Sequence, residues 1–156
     1  MADRDEEAVR RYVEHLAATL YEMGFPRMPA RVLCALLASD EGAMTAGELG
    51  EWLGVSPAAI SGAVRYLTPI GMVRREREPG SRSDRYRVLS TDRLLESVVK
   101  SGVYRRAADV VAEGVPVMGA DTAAGARMAE MADFFYFVND EYLTLIDKWR
   151  AHRAPS

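Results

Sequence analysis

Apolar residues in the first quarter of the chain recur at steps of three and four, which predicts two amphipathic helices. The first covers residues 6–23, with Glu6 and Glu7 in the first turn, where the helix dipole favours acids, and it ends before Gly24. The second begins with Pro29 as its first helical residue. One face of the first helix, which could pack on its own domain or on a partner chain, consists of Val9, Tyr12, Val13, Leu16, Leu20 and Met23. The buried face of the second is expected to consist of Val32, Leu33, Leu36 and Leu37.

The stretch 45–69 has the signals of two short capped helices with a tight turn between them. Two helices joined by three or four residues that include a glycine form the helix-turn-helix pattern. The start and stop signals are Thr45 and Glu48 as a capping box, Leu53 and Gly54 at the first end, and Ser56 and Pro57 as the N-cap and first residue of the second helix.

The second of these helices, residues 57–69, has an apolar side and a side of small residues. Ile60, Val64 and Leu67 are spaced to face a core. Small side chains opposite them would allow the helix to enter a DNA major groove closely, with Arg65 reaching a guanine or a phosphate. The alternative is a surface helix that binds nothing. The small-residue side consists of Ser56, Ala58, Ala59, Ser61, Gly62, Ala63 and Arg65.

Two strand-like runs follow, Met72–Glu76 and Arg85–Leu89, with an arginine-rich loop between them that has Pro79-Gly80 at its tip. A flexible arginine loop beside a reading helix suits a narrow, electronegative minor groove. The alternative is a solvated hairpin whose charges keep the strand edge soluble. We also expect Asp84 to pair with an arginine of this wing and hold its orientation.

The C-terminal third is expected to be helical. One helix is predicted from residue 91 to about residue 113, a break over residues 114–119, and a last helix over residues 121–149. The last helix has a heptad seam, which indicates packing against another helix. Its partner is either another chain, which we favour, or the first helix of the same chain. The seam consists of Met128, Met131, Phe135, Val138, Tyr142, Leu145 and Trp149.

Composition narrows the classes of function. The 156 residues, 49% of them apolar, suit one globular domain or a small domain with a dimerisation extension. No apolar leader and no membrane-length run is present, and Cys34 is the only cysteine, so we expect a cytoplasmic protein. Two histidines, His15 and His152, with no phosphate loop, metal-ligand spacing or nucleophile–base pattern, argue against an enzyme, a cofactor and a metal site.

The charge is unevenly distributed. The whole chain has a net charge of −3. Residues 65–87, however, contain seven arginines and three acids, a local charge of +4 that leaves −7 for the remainder. Such a patch sets the field at one face of an acidic body.

The run from Ser56 to Leu89 resembles the MarR family of bacterial transcription regulators, including its GbsR-like relatives. The likeness is carried by SPAAISGAVRYL, IGMVRR and PGSRSDRYRV, together with the order of the flanking helices. The resemblance implies a homodimer that reads palindromic DNA. In place of the usual Asp-x-Arg-Arg of the wing the chain has Asp-Arg-Tyr-Arg, which leaves open which arginine enters the groove. The positions that match DNA contacts are Ser56, Ala59, Ser61, Arg65, Arg82 and Arg85.

The leading hypothesis is therefore a dimeric, sequence-specific regulator that binds double-stranded DNA, with control by a small-molecule effector as an open addition. The expected fold class is mainly α with a small two- or three-stranded β-wing. Residues 28–90 would form the winged helix-turn-helix domain, and residues 1–27 and 91–156 the helical dimerisation region. The competing hypothesis is a winged helix that binds proteins and not DNA, for which the +4 segment would have no use.

Overall fold

The structure is a computed structural model that describes residues 4–154, apart from the side chains of residues 98 and 99. It divides into two compact units, Met1–Leu94 (unit 1) and Leu95–Ser156 (unit 2). The described part is mainly helical with one small antiparallel sheet. Its elements are α1 (Glu6–Glu22), α2 (Arg27–Ala38), β1 (Ala43–Thr45), α3 (Ala46–Leu53), α4 (Pro57–Leu67), β2 (Val73–Arg77), β3 (Asp84–Val88), α5 (Thr91–Lys100), α6 (Val103–Met118) and α7 (Ala123–Arg153).

The capping signals of the helix-turn-helix are confirmed. The backbone N–H of Glu48 donates to Thr45 Oγ1 at 3.1 Å, and that of Thr45 donates to Glu48 Oε2 at 2.7 Å. Gly54 ends α3 with φ +66°, a left-handed conformation that favours glycine. Ser56 caps α4, and Pro57 is its first residue. These local signals fix the turn between the two helices before any tertiary contact is considered.

The core of unit 1 lies where α2, α3, α4 and the sheet meet. Ala63, expected on the open side of α4, is in fact 1% exposed, because its methyl group fits where α4 comes close to its neighbours. Leu37, expected to be buried, is 50% exposed, because α2 is covered by α1 on one side and by the helix-turn-helix on another, and Leu37 faces neither. The buried residues of this core are Val32, Leu33, Ala35, Leu36, Leu49, Leu53, Ile60, Ala63, Val64, Leu67 and Val73.

The start of α2 differs from the prediction. The helix begins at Arg27 after Pro26, so Pro29 is its third residue and not its first. The first turn of a helix has no intrahelical acceptors for its N–H groups, so a proline is tolerated at each of its positions.

Helix α1 packs on α2 in unit 1 and is joined to α3 by two arginines. The guanidinium of Arg31 donates to both carboxylate oxygens of Glu14, at 3.0 Å from Nε and 2.6 Å from Nη2, and to the carbonyl of Leu53 at 3.1 Å. Arg10 lies 4.6 Å from the ring centroid of Trp52 and donates to its carbonyl. A dimerisation role for residues 1–27 stays a prediction, and α1 is in any case braced against the helix-turn-helix.

Cys34 lies in the small core between α1 and α2 and is 1% exposed. Burial, with a smaller contribution from the charge of Glu14, raises the pKa of its thiol to about 11. The folded protein therefore disfavours the thiolate, and this contribution to stability is present below the unfolded thiol pKa and is lost as the pH rises towards 11.

We expect Cys34 to react with a disulfide reagent at pH 8 at least about tenfold more slowly in the native protein than in urea, because only the exposed thiolate is nucleophilic. The measurement is the release of the coloured thiol with time, and the Cys34→Ser variant gives the background. Equal rates in the native and unfolded states would contradict the burial of this thiol.

The wing is a three-stranded antiparallel sheet in the order β1-β3-β2. Val73 pairs with Val88, and Arg77 pairs with Asp84 at the loop end. Each long strand is displaced by one residue from its predicted range, while β1 supplies the third strand that the sequence left optional. As expected, Asp84 pairs with a wing arginine, which is Arg75.

The helices after the wing begin and end at different residues from those predicted. The single helix expected over residues 91–113 is two helices, because the chain turns at Gly102, where φ is +61°. The break expected over residues 114–119 begins only at Gly119, and α6 continues through Gly114 and Pro116. A proline in the last turn removes one helical hydrogen bond without ending the helix.

Part of the α7 seam packs on α6 of the same chain and not on α1, the partner within the chain that the sequence suggested. Packing of the seam on another chain stays a prediction. The packed side of α7 contains Met128, Phe135 and Tyr142 of the predicted seam, and Tyr104 of α6 stacks on Tyr142 with ring centroids 5.1 Å apart. Met131 and Leu145 of the predicted seam are instead exposed. The buried residues of α7 are Gly125, Ala132 and Ile146.

Gly125 marks the closest approach in unit 2. A Cβ built there would lie 2.0 Å from the carbonyl oxygen of Gly119 and 3.1 Å from Cα of Ala120. The N–H of Gly125 donates to Oγ1 of Thr122, the N-cap of α7, at 3.0 Å. The turn between α6 and α7 therefore fits only because residue 125 has no side chain.

Candidate nucleic-acid interface

The outer face of α4 is exposed to solvent and consists largely of small residues. Ser61, Gly62 and Arg65 are exposed, and nothing lies within 4 Å of a Cβ built at Gly62. Arg65 Nη2 donates to Ser61 Oγ at 3.4 Å, so two of the positions predicted to contact DNA lie together on this face. We call Ser61, Gly62 and Arg65 the reading face. A helix with such a face has the width and the donors that a major groove accepts.

Ser56 and Ala59, the other two predicted contact positions of α4, contribute to the structure of the helix itself. The hydroxyl of Ser56 accepts the N–H of Ala59 at 3.2 Å and so serves as the helix cap. Ala59 is partly buried. Ser56 stays exposed and its hydroxyl can still donate, but the most accessible polar groups of α4 are those of Ser61 and Arg65.

Four of the seven arginines in residues 65–87 are neutralised by carboxylates. Their ion pairs are Arg74 with Glu76, Arg75 with Asp84, Arg85 with Glu41 and Glu78, and Arg87 with Glu76. Arg65, Arg77 and Arg82 have no carboxylate partner within the described residues, and all three are exposed. Within this segment, the charge available to a polyanion is therefore that of the reading face and of the residues around the wing loop.

Arg82 and Arg85, both predicted to contact DNA, lie in different surroundings. Arg82 is exposed in the wing loop. The side chain of Arg85 is only 21% exposed and donates from Nη2 to Glu41 Oε2 at 2.6 Å and to the carbonyl of Ala43 at 3.1 Å. The structure thus distinguishes two arginines that the sequence treats alike, although contact of either with DNA remains a prediction.

Glu76 ties two strands of the wing together. It accepts from Arg87 Nε and from Arg74 Nε, both at 2.9 Å. Arg74 and Arg87 are paired residues on β2 and β3, so this carboxylate offsets the repulsion of two like charges directly opposite each other. The hydrogen bond from Arg87, assisted by that from Arg74, lowers the pKa of Glu76, and the ion pairs persist at neutral pH.

Two kinds of feature are absent from the described residues. No group of three or more histidine, cysteine, aspartate or glutamate side chains in residues 4–154 is arranged to hold a metal ion. None of the helices in the same range is both long and apolar enough to cross a bilayer.

Unit 1 has the element order and the capped turn of a winged helix-turn-helix, the fold class of many transcription regulators. Two family models match the chain. One, for the MarR family, matches residues 23–82, and the other, for MmpR5-like MarR family transcriptional regulators, matches residues 96–152. Together they span both units, and the chain belongs to the MarR family of winged-helix regulators. This is a family of transcription factors and not of enzymes.

Solved structures show the same fold. A crystal structure of a transcriptional regulator superposes with a TM-score of 0.80 at 19% identity, covering 92% of this chain and 99% of that one. The archaeal chromatin protein TrmBL2, described as showing a novel mode of DNA binding, has a TM-score of 0.50 at 17% identity over 71% of this chain and 44% of its own. No curated protein sequence matches the chain.

Two features of the interface escaped the sequence interpretation. Arg77 is not among the predicted contact residues, although it is exposed like Arg82 and likewise has no carboxylate partner among the described residues. Glu41 is not among the predicted functional residues either, yet it binds Arg85 across 44 positions of sequence. No local pattern reports a contact over that separation, whereas the exposure of Arg77 follows from its place at the last position of β2.

Proposed function

We propose that this protein is a sequence-specific regulator that binds double-stranded DNA through the reading face and the wing loop. The observation that carries the proposal is the set of three exposed arginines, Arg65, Arg77 and Arg82, that have no carboxylate partner in residues 4–154. Arginine is the side chain most suited to guanine edges and phosphates, and only an arginine free of an internal ion pair can bind them without losing a bond. On this proposal Ser56 and Ala59 lie at the start of α4 near the DNA backbone, and Ser61 and Arg65 reach the groove.

The wing loop would enter the adjacent minor groove. Its tip has Gly80 at φ +81°, and the turn is closed by the N–H of Ser81, which donates to the carbonyl of Glu78 at 3.1 Å. This compact loop supports Arg82 near its end. A narrow minor groove attracts an inserted arginine through its enhanced negative potential.

The proposal includes a homodimer that reads a palindrome. Exposed apolar residues on α6 and α7 support it, because they recur at heptad spacing and a soluble monomer rarely leaves such rows uncovered. Val103, Val110 and Val117 are seven residues apart, and Phe134 and Phe137 are each at least 60% exposed. A two-fold dimer would read two half-sites about one helical turn apart.

The proposal also includes control by a small-molecule effector. A cavity of about 490 Å³ in unit 1 is the feature that favours it. The cavity reaches from Arg10 and Trp52 to Glu41 and Arg85, so a bound molecule would contact both α1 and the base of the wing. We further propose that the protein acts in the cytoplasm, where it would have access to the chromosome.

Binding-site selection from random and genomic DNA tests the proposed function. We expect enrichment of an inverted repeat whose half-sites lie about 10 base pairs apart. Enrichment of a single half-site would support DNA binding and contradict recognition of a palindrome by a homodimer. Failure to enrich any sequence would contradict the proposal and favour a winged helix that binds proteins.

A further inference from the structure

The guanidinium of Arg85 is held by contacts within the protein. Nη2 is shared between Glu41 Oε2 and the carbonyl of Ala43, Nη1 lies 3.6 Å from Glu78 Oε1, and Nε is buried without a hydrogen-bond partner. An arginine in this position would have to leave two acceptors unpaired in order to reach a phosphate. Its surroundings are therefore those of a structural anchor.

Glu41, in the loop between α2 and β1, is also bound by Arg87. Arg87 Nη1 donates to the carbonyl of Glu41 at 2.6 Å, while its Nε binds Glu76 of β2. Arg85 and Arg87 lie on one face of β3, the central strand of the sheet. The loop between α2 and β1 is thus fastened to the middle of the wing through both the side chain and the backbone of Glu41.

The direction of the wing loop depends on the residues at its two ends. The loop joins β2 and β3 beyond the pair Arg77–Asp84, and Arg82 within it is exposed with no carboxylate partner among the described residues. Arg85 directly follows Asp84, and its Nη1 lies 3.6 Å from Oε1 of Glu78 at the other end of the loop. Through Arg85, Glu41 therefore connects the loop between α2 and β1 to the end of the wing that carries Arg82.

We propose that Glu41 and Arg85 are positioning residues, which hold the wing at the angle at which Arg82 meets DNA, and that Arg85 makes no DNA contact of its own. This inference rests on the proposed function. It predicts that removing the acidic side chain of Glu41 weakens DNA binding. Charge repulsion alone predicts the opposite, because DNA is a polyanion.

The test is to compare the dissociation constants of Glu41→Ala and Asp40→Ala for the selected duplex by fluorescence anisotropy. Asp40 is the matched control: it is adjacent, 92% exposed, and pairs with Arg4 and not with the wing. Both variants lose one negative charge, which on charge alone strengthens DNA binding or leaves it unchanged. We expect Asp40→Ala to follow that rule and Glu41→Ala to bind about threefold to tenfold more weakly, because the Arg82 contact is misplaced.

A double-mutant cycle shows whether Glu41 and Arg85 affect DNA affinity through Arg82. In the Arg82→Ala background, Glu41→Ala and Arg85→Ala should cause no further loss of affinity, since the contact they position is already absent. If Arg85 binds a phosphate directly, Arg85→Ala will still weaken binding in that background and will reduce the slope of log affinity against log salt by about 1 per contact.

The outcomes separate this inference from the proposed function. If the unaltered protein binds no duplex specifically, the proposed function fails. If it binds, but Glu41→Ala binds as tightly as Asp40→Ala, or Arg85→Ala adds its effect to that of Arg82→Ala, then the positioning role is wrong and DNA binding stands. Melting temperatures of the variants show whether each is folded, and Glu41 is 67% exposed, so its replacement should leave the core intact.

Discussion

Replacing Arg82 or Arg65 by alanine weakens binding to the selected operator by about tenfold or more, without changing the oligomeric state. Both arginines are exposed and have no internal carboxylate partner, so the folded protein loses little when either side chain is removed. A dimer loses two contacts for each substitution. If Arg82 binds phosphates, the slope of log affinity against log salt falls by about 2, and if Arg65 reads a guanine, discrimination at that base pair is relaxed.

The control for this pair is Arg11→Ala. Arg11 is also exposed, but it lies on α1 in an ion pair with Glu7, away from the proposed interface. Its removal changes the net charge equally and should change the affinity by less than about twofold at moderate salt, where distant charges are screened. Equal losses for Arg11→Ala and Arg82→Ala would mean that overall charge, and not the wing, determines binding.

The largest expected effect on stability comes from Gly125→Ala. The added methyl carbon would lie 2.0 Å from a backbone oxygen and 2.8 Å from a backbone carbon of Gly119, so the turn between α6 and α7 must open. We expect a loss of about 2–4 kcal/mol, which exceeds the gain of about 1 kcal/mol that alanine brings to a helix.

Gly114→Ala is the matched control, because it lies in the same helical pair. A Cβ there meets only the flexible side chain of Met128, at 3.6 Å from Cγ, which is ordinary contact. It should be neutral or stabilise unit 2 by up to about 1 kcal/mol. Urea denaturation followed by circular dichroism distinguishes the two variants, and equal midpoints would show that the turn relaxes easily around residue 125.

Local signals predicted the helix-turn-helix almost to the residue. Thr45, Gly54 and Ser56 act through bonds to residues within four positions, so their effects are visible in the sequence. The same is true of the core spacing of Ile60 and Leu67. The class of fold, and with it the family, follows from this short stretch.

Features that depend on distant contacts were not predicted. The sequence shows the heptad seam of α7 but not that α6 covers it, because an amphipathic pattern does not specify its partner. It shows the arginines of the wing but not which of them are neutralised, since Arg85 is paired with an acid 44 residues earlier. Gly102 ends one helix and Gly114 does not, a difference set by the packing of α6 and α7.

These differences change the view of the interface. The basic segment is not a uniform patch, because four of its arginines build the wing and three are left for a ligand. The helices predicted to mediate dimerisation also belong to different units: α1 packs on α2 in unit 1, whereas α6 and α7 are in unit 2 and have exposed apolar rows.

Specific DNA binding is measured most directly by an anisotropy titration of the selected duplex and of a scrambled duplex, between about 50 and 200 mM salt. The account predicts that the selected duplex binds at least about a thousandfold more tightly than the scrambled one, and that its affinity falls steeply and linearly on a double-logarithmic salt plot. Equal affinity for the two duplexes at every salt concentration, or no binding at the lowest, would contradict it.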